Sequence, residues 1–316
     1  MLTIIMMIAA GVIILYLGAE GLVRGACHLA KRFNIAPLVI GLTVVACGTS
    51  LPETVVNLVA QMRGGLGDII IGNIVGSNIS NIGLVLGASI ILTPLTITSS
   101  ISRREMPVLL IVCFSFFACL LTGTITRAMG IAFVVALIAY LLYHYKNARR
   151  KYSADDVLEE SLTATPLRST AFSIAIVVIG SIALFFGARL LVEGATRLAV
   201  VFSVPQRIIA LTVVALGTSL PELATSMIAA SRRHHSISIG NVIGSIIFNI
   251  LFATGAIACI RDISFSMQLA YYDATVMLAF VIVMAILLHR KRSLPRSCGI
   301  ALLAAYALYL AAIVSI

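Results

Sequence analysis

Glu53 and Glu222 each follow a proline within a long apolar run, in the matching strings LTVVACGTSLPE at 42–53 and LTVVALGTSLPE at 211–222. The two strings differ only at Cys47 against Leu216, and eleven identities in twelve positions exceed chance. An ionisable side chain at membrane depth is costly enough to point to a functional site by default. A proline in a helix removes one donor and blocks the bond to the carbonyl four residues back, so Pro52 frees the Gly48 carbonyl and Pro221 that of Gly217. Irregular backbone at that depth survives only where protein buries it or where it lines a polar cavity. A cation is a natural partner for such carbonyls.

Helical spacing adds ligands around each carboxylate. Ala46, Thr49, Ser50 and Glu53 fall at i, i+3, i+4 and i+7, and Ala215, Thr218, Ser219 and Glu222 repeat the pattern, so two hydroxyls and a carboxylate share one face in each copy. GNIVGSNISN at 72–81 aligns with GNVIGSIIFN at 240–249, offering Ser77 with Asn81 and Ser245 with Asn249, each at i, i+4. Every candidate presents oxygen, which suits a hard cation such as Na+ or Ca2+ and argues against zinc or copper. Serine and threonine in membrane helices also bond back to the i−4 carbonyl, and Gly72 to Gly76 could serve close packing alone. The duplication of the whole set with two glutamates favours a binding site.

Other polar residues are less specific. Asn73 and Asn241 are either further ligands or groups that satisfy backbone at a kink, and Asn57, aligned with Ser226, is a weaker candidate for lining the pathway. Glu20 with Arg24, and Arg189 with Glu193, read as helix-end ion pairs at i, i+4 spacing.

The elements that position these residues must lie in a bilayer. A 316-residue chain with 60% hydrophobic and 11% charged residues is too apolar for an aqueous globule. Spans are predicted at 3–24, 36–62, 68–95, 106–123, 128–145, 171–196, 205–231, 237–260, 269–288 and 297–315, an all-α integral membrane protein of ten helices at about 20 residues each. The first lacks a basic n-region and a small-residue cleavage site, so it reads as a retained helix with the protein starting near Met1.

With both termini outside, the inner connections hold 16 of the 22 Lys and Arg residues, among them Arg24, Arg103, Lys146, Arg232 and Arg290, as the positive-inside rule requires. The net charge of +10 is thereby explained by topology in an inner (plasma) membrane, with no role for nucleic acid. Six cysteines with no CxxC pairing suggest neither a disulfide framework nor a zinc site.

An offset of 169 also aligns Gly18 with Gly187, Gly25 with Gly194 and Phe33 with Phe202. The chain therefore divides into two repeats of five helices, 1–145 and 171–316, with motif regions 42–81 and 211–249, joined by a polar linker at 146–170 that is placed in the cytoplasm. Because five is odd, the second repeat enters the membrane from the opposite side, an inverted-topology arrangement that builds secondary transporters and implies alternating access.

At these residues the chain resembles the cation/Ca2+ exchanger superfamily, whose repeats carry GTSxPE followed by a GSN-type helix, and it looks most like the prokaryotic ten-helix sodium/calcium exchangers. The resemblance implies an antiporter with no cofactor, acting on inorganic cations as a monomer, in which a helix pair slides against a fixed core. It further implies a calcium-type site of Glu53 and Glu222 with the Thr49 and Thr218 carbonyls. Flanking sodium sites would draw on Ala46, Ser50 and Ser77 in one half and Ala215, Ser219 and Ser245 in the other, with Asn81 and Asn249 completing the central layer. Asn249 stands where members of that family often have aspartate, which leaves Na+, H+ and K+ open as counter-ions.

Two rival classes fit less well. An intramembrane hydrolase needs a base at membrane depth, but His28, His144, His234, His235 and His289 all lie near helix ends or in loops. A channel needs a continuous pore, whereas ligands from two inverted halves favour a closed central site.

Overall fold

The computed structural model describes residues 1–64, 66–98, 100–147, 169–204 and 215–315. Among these, the helices form ten consecutive segments. They are α1 (Leu2–Phe33), α2 (Pro37–Met62), α3 (Gly67–Leu92), α4 (Ile101–Glu105 continuing as Met106–Leu120), α5 (Arg127–Asn147) and α6 (Thr170–Val201). The second half continues with α7 (Ala215–Thr218, then Leu220–Ser231), α8 (His235–Ile260), α9 (Met267–Arg290) and α10 (Arg296–Ser315).

Eight of the ten are long and apolar enough to cross a membrane, the exceptions being α4 and the described part of α7. The start of the expected span 205–231, residues 205–214, and most of the linker at 146–170 lie outside the described residues. The first span runs further than its expected end at 24. It continues through Lys31 and Arg32 to Phe33, and stops at Asn34, whose left-handed backbone (φ 54°) returns its N–H to the Ala30 and Lys31 carbonyls.

Helices α1 and α6 pair closely with each other and pack against α2 and α7. Glycine is required at their crossing: a Cβ on Gly18 would stand 2.9 Å from the Gly180 carbonyl oxygen and from the Leu184 nitrogen, both backbone. The main core lies among the other helices, around Ile70, Leu109, Phe116, Ile243 and Met277.

α3 and α8 are the most enclosed spans, and each carries a π-helical turn, at Asn81–Leu86 and Asn249–Thr254. Such turns leave backbone carbonyls out of the regular ladder and recur at functional sites.

The two halves of the chain interlock. α5 packs on the end of α8, and α10 on the end of α3. Two short antiparallel ribbons tie the same ends together: β1 (Leu95–Thr96) pairs with β4 (Ser293–Leu294), and β2 (Thr124–Ile125) with β3 (Ile263–Ser264).

A carboxylate–tyrosine contact also occurs twice. Tyr140 Oη donates to Glu105 Oε2 at 3.3 Å and Tyr309 Oη to Asp273 Oδ1 at 3.2 Å. Glu105 is buried beside Tyr140 and His144. At the start of α4, side chains from the last turns of α5 can supply the donors that an acid in mid-span lacks.

Candidate functional site

Four helices meet at the centre: α2 and α3 from the first half, α7 and α8 from the second. Gly244 lets α8 approach α2, since a Cβ there would lie 2.5 Å from the Leu42 carbonyl oxygen and 2.7 Å from the Ala46 Cβ. That approach brings Thr49 against the second half. Its hydroxyl lies 3.2 Å from Asn241 Oδ1, 3.5 Å from Ser245 Oγ and 3.2 Å from the carbonyl of Ala46. Ser50 Oγ donates to Glu222 Oε1 at 2.9 Å. Glu53 lies within electrostatic reach of Glu222, and Ser77 and Asn249 stand beside Glu53.

The two glutamates are set differently in their helices. α7 breaks at Ser219 and restarts at Leu220, so Pro221 and Glu222 occupy a first turn, where free N–H groups favour negative charge. In α2 the expected break at Pro52 is not seen. The helix runs from Ala46 to Met62 with Pro52 inside it and Glu53 in mid-helix, and the irregularity lies upstream in a π-helical turn at Gly41–Val45. One missing hydrogen bond is tolerated where neighbouring helices hold the chain on both sides of it.

Both carboxylates are enclosed, Glu53 at 1% exposure and Glu222 at 0%. Among the described residues, neither oxygen of Glu53 has a partner in hydrogen-bond geometry, nor has Glu222 Oε2. The same holds for Ser77 Oγ, Ser219 Oγ, both amide ends of Asn81 and Asn249 Oδ1. A buried charge without a partner costs on the order of several kcal/mol, and native interiors leave few polar atoms unpaired. Unpaired oxygens from all four helices, gathered around two acids, have the donor chemistry of a hard-cation site.

Of the expected ligands, Glu53, Thr49, Ser50, Ala46, Ser77, Asn81, Glu222, Ser219, Ser245 and Asn249 are all buried in this cluster. Thr218 ends the first piece of α7 and is half-buried, while Ala215 is described only as the first residue of that piece. Asn241 proves central: besides facing Thr49 it donates to Ser226 Oγ at 2.9 Å and to the Glu222 carbonyl at 3.4 Å. Asn73 donates to Asn57 Oδ1 at 2.8 Å, so these two amides are joined to each other by one hydrogen bond.

Three features went unread in the sequence. Asn78 donates to Met277 Sδ and accepts from Asn249, while Thr225 is fully buried one turn beyond Glu222. The matching acids Glu105 and Asp273 were legible at the offset of 168 already seen for the GN motifs. Asn78 was a polar residue in an apolar helix, three positions before Asn81.

The ion pairs also differ from expectation in one half. Glu20 Oε1 accepts from Arg24 at 2.6 Å and additionally from Arg232 at 2.8 Å, but Glu193 pairs with Arg197 rather than Arg189.

The family described as sodium/calcium exchanger protein matches residues 3–146 and 172–315. The inner membrane protein YrbG of Escherichia coli is 36% identical over 312 residues, covering 96% of this chain and 95% of its own. The sodium/calcium exchanger MaX1 of Methanosarcina acetivorans is 28% identical over 335 residues, covering 95% of each. In structure the chain is similar to the sodium-calcium exchanger NCX_Mj soaked with zero Na+ and Ca2+, with a TM-score of 0.85 and 31% identity over 98% of this chain and 99% of that one.

Proposed function

Because the chain belongs to the sodium/calcium exchanger family, whose members are cation antiporters of the membrane, we propose that it exchanges Na+ for Ca2+ by alternating access, with Glu53 and Glu222 as central ligands. The observation that carries this reading is the pair of buried carboxylates, one from each repeat, with three of their four oxygens lacking a partner in hydrogen-bond geometry among the described residues. Two glutamates neutralise one Ca2+. Once it leaves they repel each other in a low-dielectric site unless other cations replace it, which makes exchange obligatory. Thr49, Thr218, Ser50, Ser219, Ser77, Ser245, Asn81, Asn249, Ala46 and Ala215 complete the oxygen shell of the calcium and sodium positions.

The architecture we infer is ten spans in two inverted repeats, 1–145 and 171–316, in the inner membrane, with both termini outside and 146–170 in the cytoplasm. The interlocked ribbons and the twice-repeated carboxylate–tyrosine contact support it, because equivalent elements of the two repeats make equivalent contacts. Asn249 leaves the centre with two carboxylates, and that observation favours one second reading, in which H+ or K+ serves as counter-ion.

The test is uptake of radioactive Ca2+ into proteoliposomes loaded with Na+ and diluted into choline, with K+ and pH gradients as parallel arms. Uptake that requires the outward Na+ gradient is expected. Uptake driven only by pH or K+ transfers the function to the second reading, and uptake without any counter-ion overturns exchange.

A further inference from the structure

An amide ligand, unlike a carboxylate, has a wrong end. Asn249 presents a cation either with its oxygen or with its NH2 group, and the difference between attraction and repulsion is set by whatever holds the other end. Here Asn249 Nδ2 donates to Asn78 Oδ1 at 3.3 Å, while Asn249 Oδ1 is buried with no donor. Asn78 is itself an amide and could present either end. Its own orientation is settled by α9, where Met277 Sδ lies 3.6 Å from Asn78 Nδ2, both residues fully buried.

A thioether accepts but never donates, so Met277 takes the NH2 of Asn78, Asn78 must turn its oxygen to Asn249, and Asn249, its NH2 held by Asn78 on the side that also faces the Glu53 carboxylate, keeps its oxygen free of any described donor. The relay exists in one half only. The residue aligned with Asn78 is Ile246, and Asn81, aligned with Asn249, has neither amide end partnered.

We propose that Asn78, oriented by Met277, is a positioning residue that fixes Asn249 with its carbonyl oxygen toward the transported cation, so that geometry at this position does the work that an aspartate would do by charge. The inference rests on the reading of Asn249 as a ligand. It assigns Asn78 no contact with the ion.

The experiment measures half-saturating Ca2+ and maximal rate of uptake in proteoliposomes for Asn78→Leu, Asn78→Asp, Met277→Leu, Asn249→Asp, Asn249→Ala and the double variant Asn78→Leu/Asn249→Asp, each first shown to elute as the wild type does. Asn78→Leu is expected to raise half-saturating Ca2+ about tenfold, the effect of losing one oriented hydrogen bond, with most of the loss in KM rather than in rate. Asn78→Asp, which keeps an acceptor for Asn249, recovers most of it, and Met277→Leu falls between.

In the Asn249→Asp background Asn78→Leu is expected to change half-saturation less than about twofold, because the two oxygens of a carboxylate are equivalent and there is no end to choose. An equal penalty in both backgrounds, or none in either, overturns the positioning role. If Asn249→Ala itself leaves half-saturation unchanged, the assignment of Asn249 as a ligand fails, and the inference with it.

Discussion

The protein answers the charge of Glu222 more fully than that of Glu53. Glu222 has the Ser50 hydroxyl and the first turn of a helix, while Glu53 sits in mid-helix with Ser77 and Asn249 nearby but no described donor in hydrogen-bond geometry. If Glu53 and Glu222 are the central ligands proposed above, glutamine at either position is expected to leave the protein folded and to abolish Ca2+-coupled flux, since the cation loses half its counter-charge. The two variants should part company in stability without ions. In chelator, Glu53→Gln is expected to unfold at higher temperature than the wild type, by about 1–3 kcal/mol at the midpoint, with a smaller gain for Glu222→Gln. The reverse ranking would mean that Glu222 carries the larger unanswered charge. Ca2+ at about a hundred times its Kd should stabilise the wild type by about 2.7 kcal/mol and neither variant, as followed by thermal unfolding in detergent.

At the scale of elements, the α1–α6 pair meets the other helices through a second, smaller hydrophobic cluster and through the bond between Glu20 and Arg232. Arg232 is 45% exposed and Glu20 12%, so the pair is screened on one side, and Glu20→Gln is expected to cost at most about 1 kcal/mol, as followed by thermal unfolding in detergent. A far larger penalty arises at the helix crossing, where Gly18→Leu drives a side chain into the Gly180 carbonyl; overpacking of this kind costs about 1–3 kcal/mol or more.

Beside this contact, burial and then Arg232 hold the His234 imidazole below its ordinary value of 6.5, with Glu20 pulling the other way. A depressed folded-state value means that the fold favours the neutral ring. That stability is present above the ordinary value and is lost as the pH falls through it toward the folded value. Melting temperatures recorded from about pH 8 to pH 5 should fall less steeply in His234→Gln than in the wild type.

For the whole molecule, the interlocking of the two halves predicts cooperative loss of both, because neither half encloses its own third helix without the last helix of the other. Orientation is testable with the native Cys259, which is exposed at the end of α8. In a variant retaining only this cysteine, a membrane-impermeant maleimide is expected to label intact cells. A single cysteine introduced within 146–168 should react only after the cells are opened. The opposite pattern reverses the assigned topology.

Duplication made the candidate site legible in the chain alone: two GTSLPE strings and two GN motifs mark helices, carboxylates and hydroxyls wherever the helices finally lie, because helical spacing is local and apolar length is a composition. Sequence could not say which amide faces which. The contacts of Thr49 with Asn241, of Ser50 with Glu222, and of Met277 with Asn78 and through it Asn249 join residues roughly 170 to 200 positions apart. The differences between the halves were equally hidden: the helix that runs through Pro52 and the one that breaks before Pro221 come from almost the same string. Neighbouring helices decide how each copy accommodates its proline, and those neighbours are chosen by packing across the whole bundle.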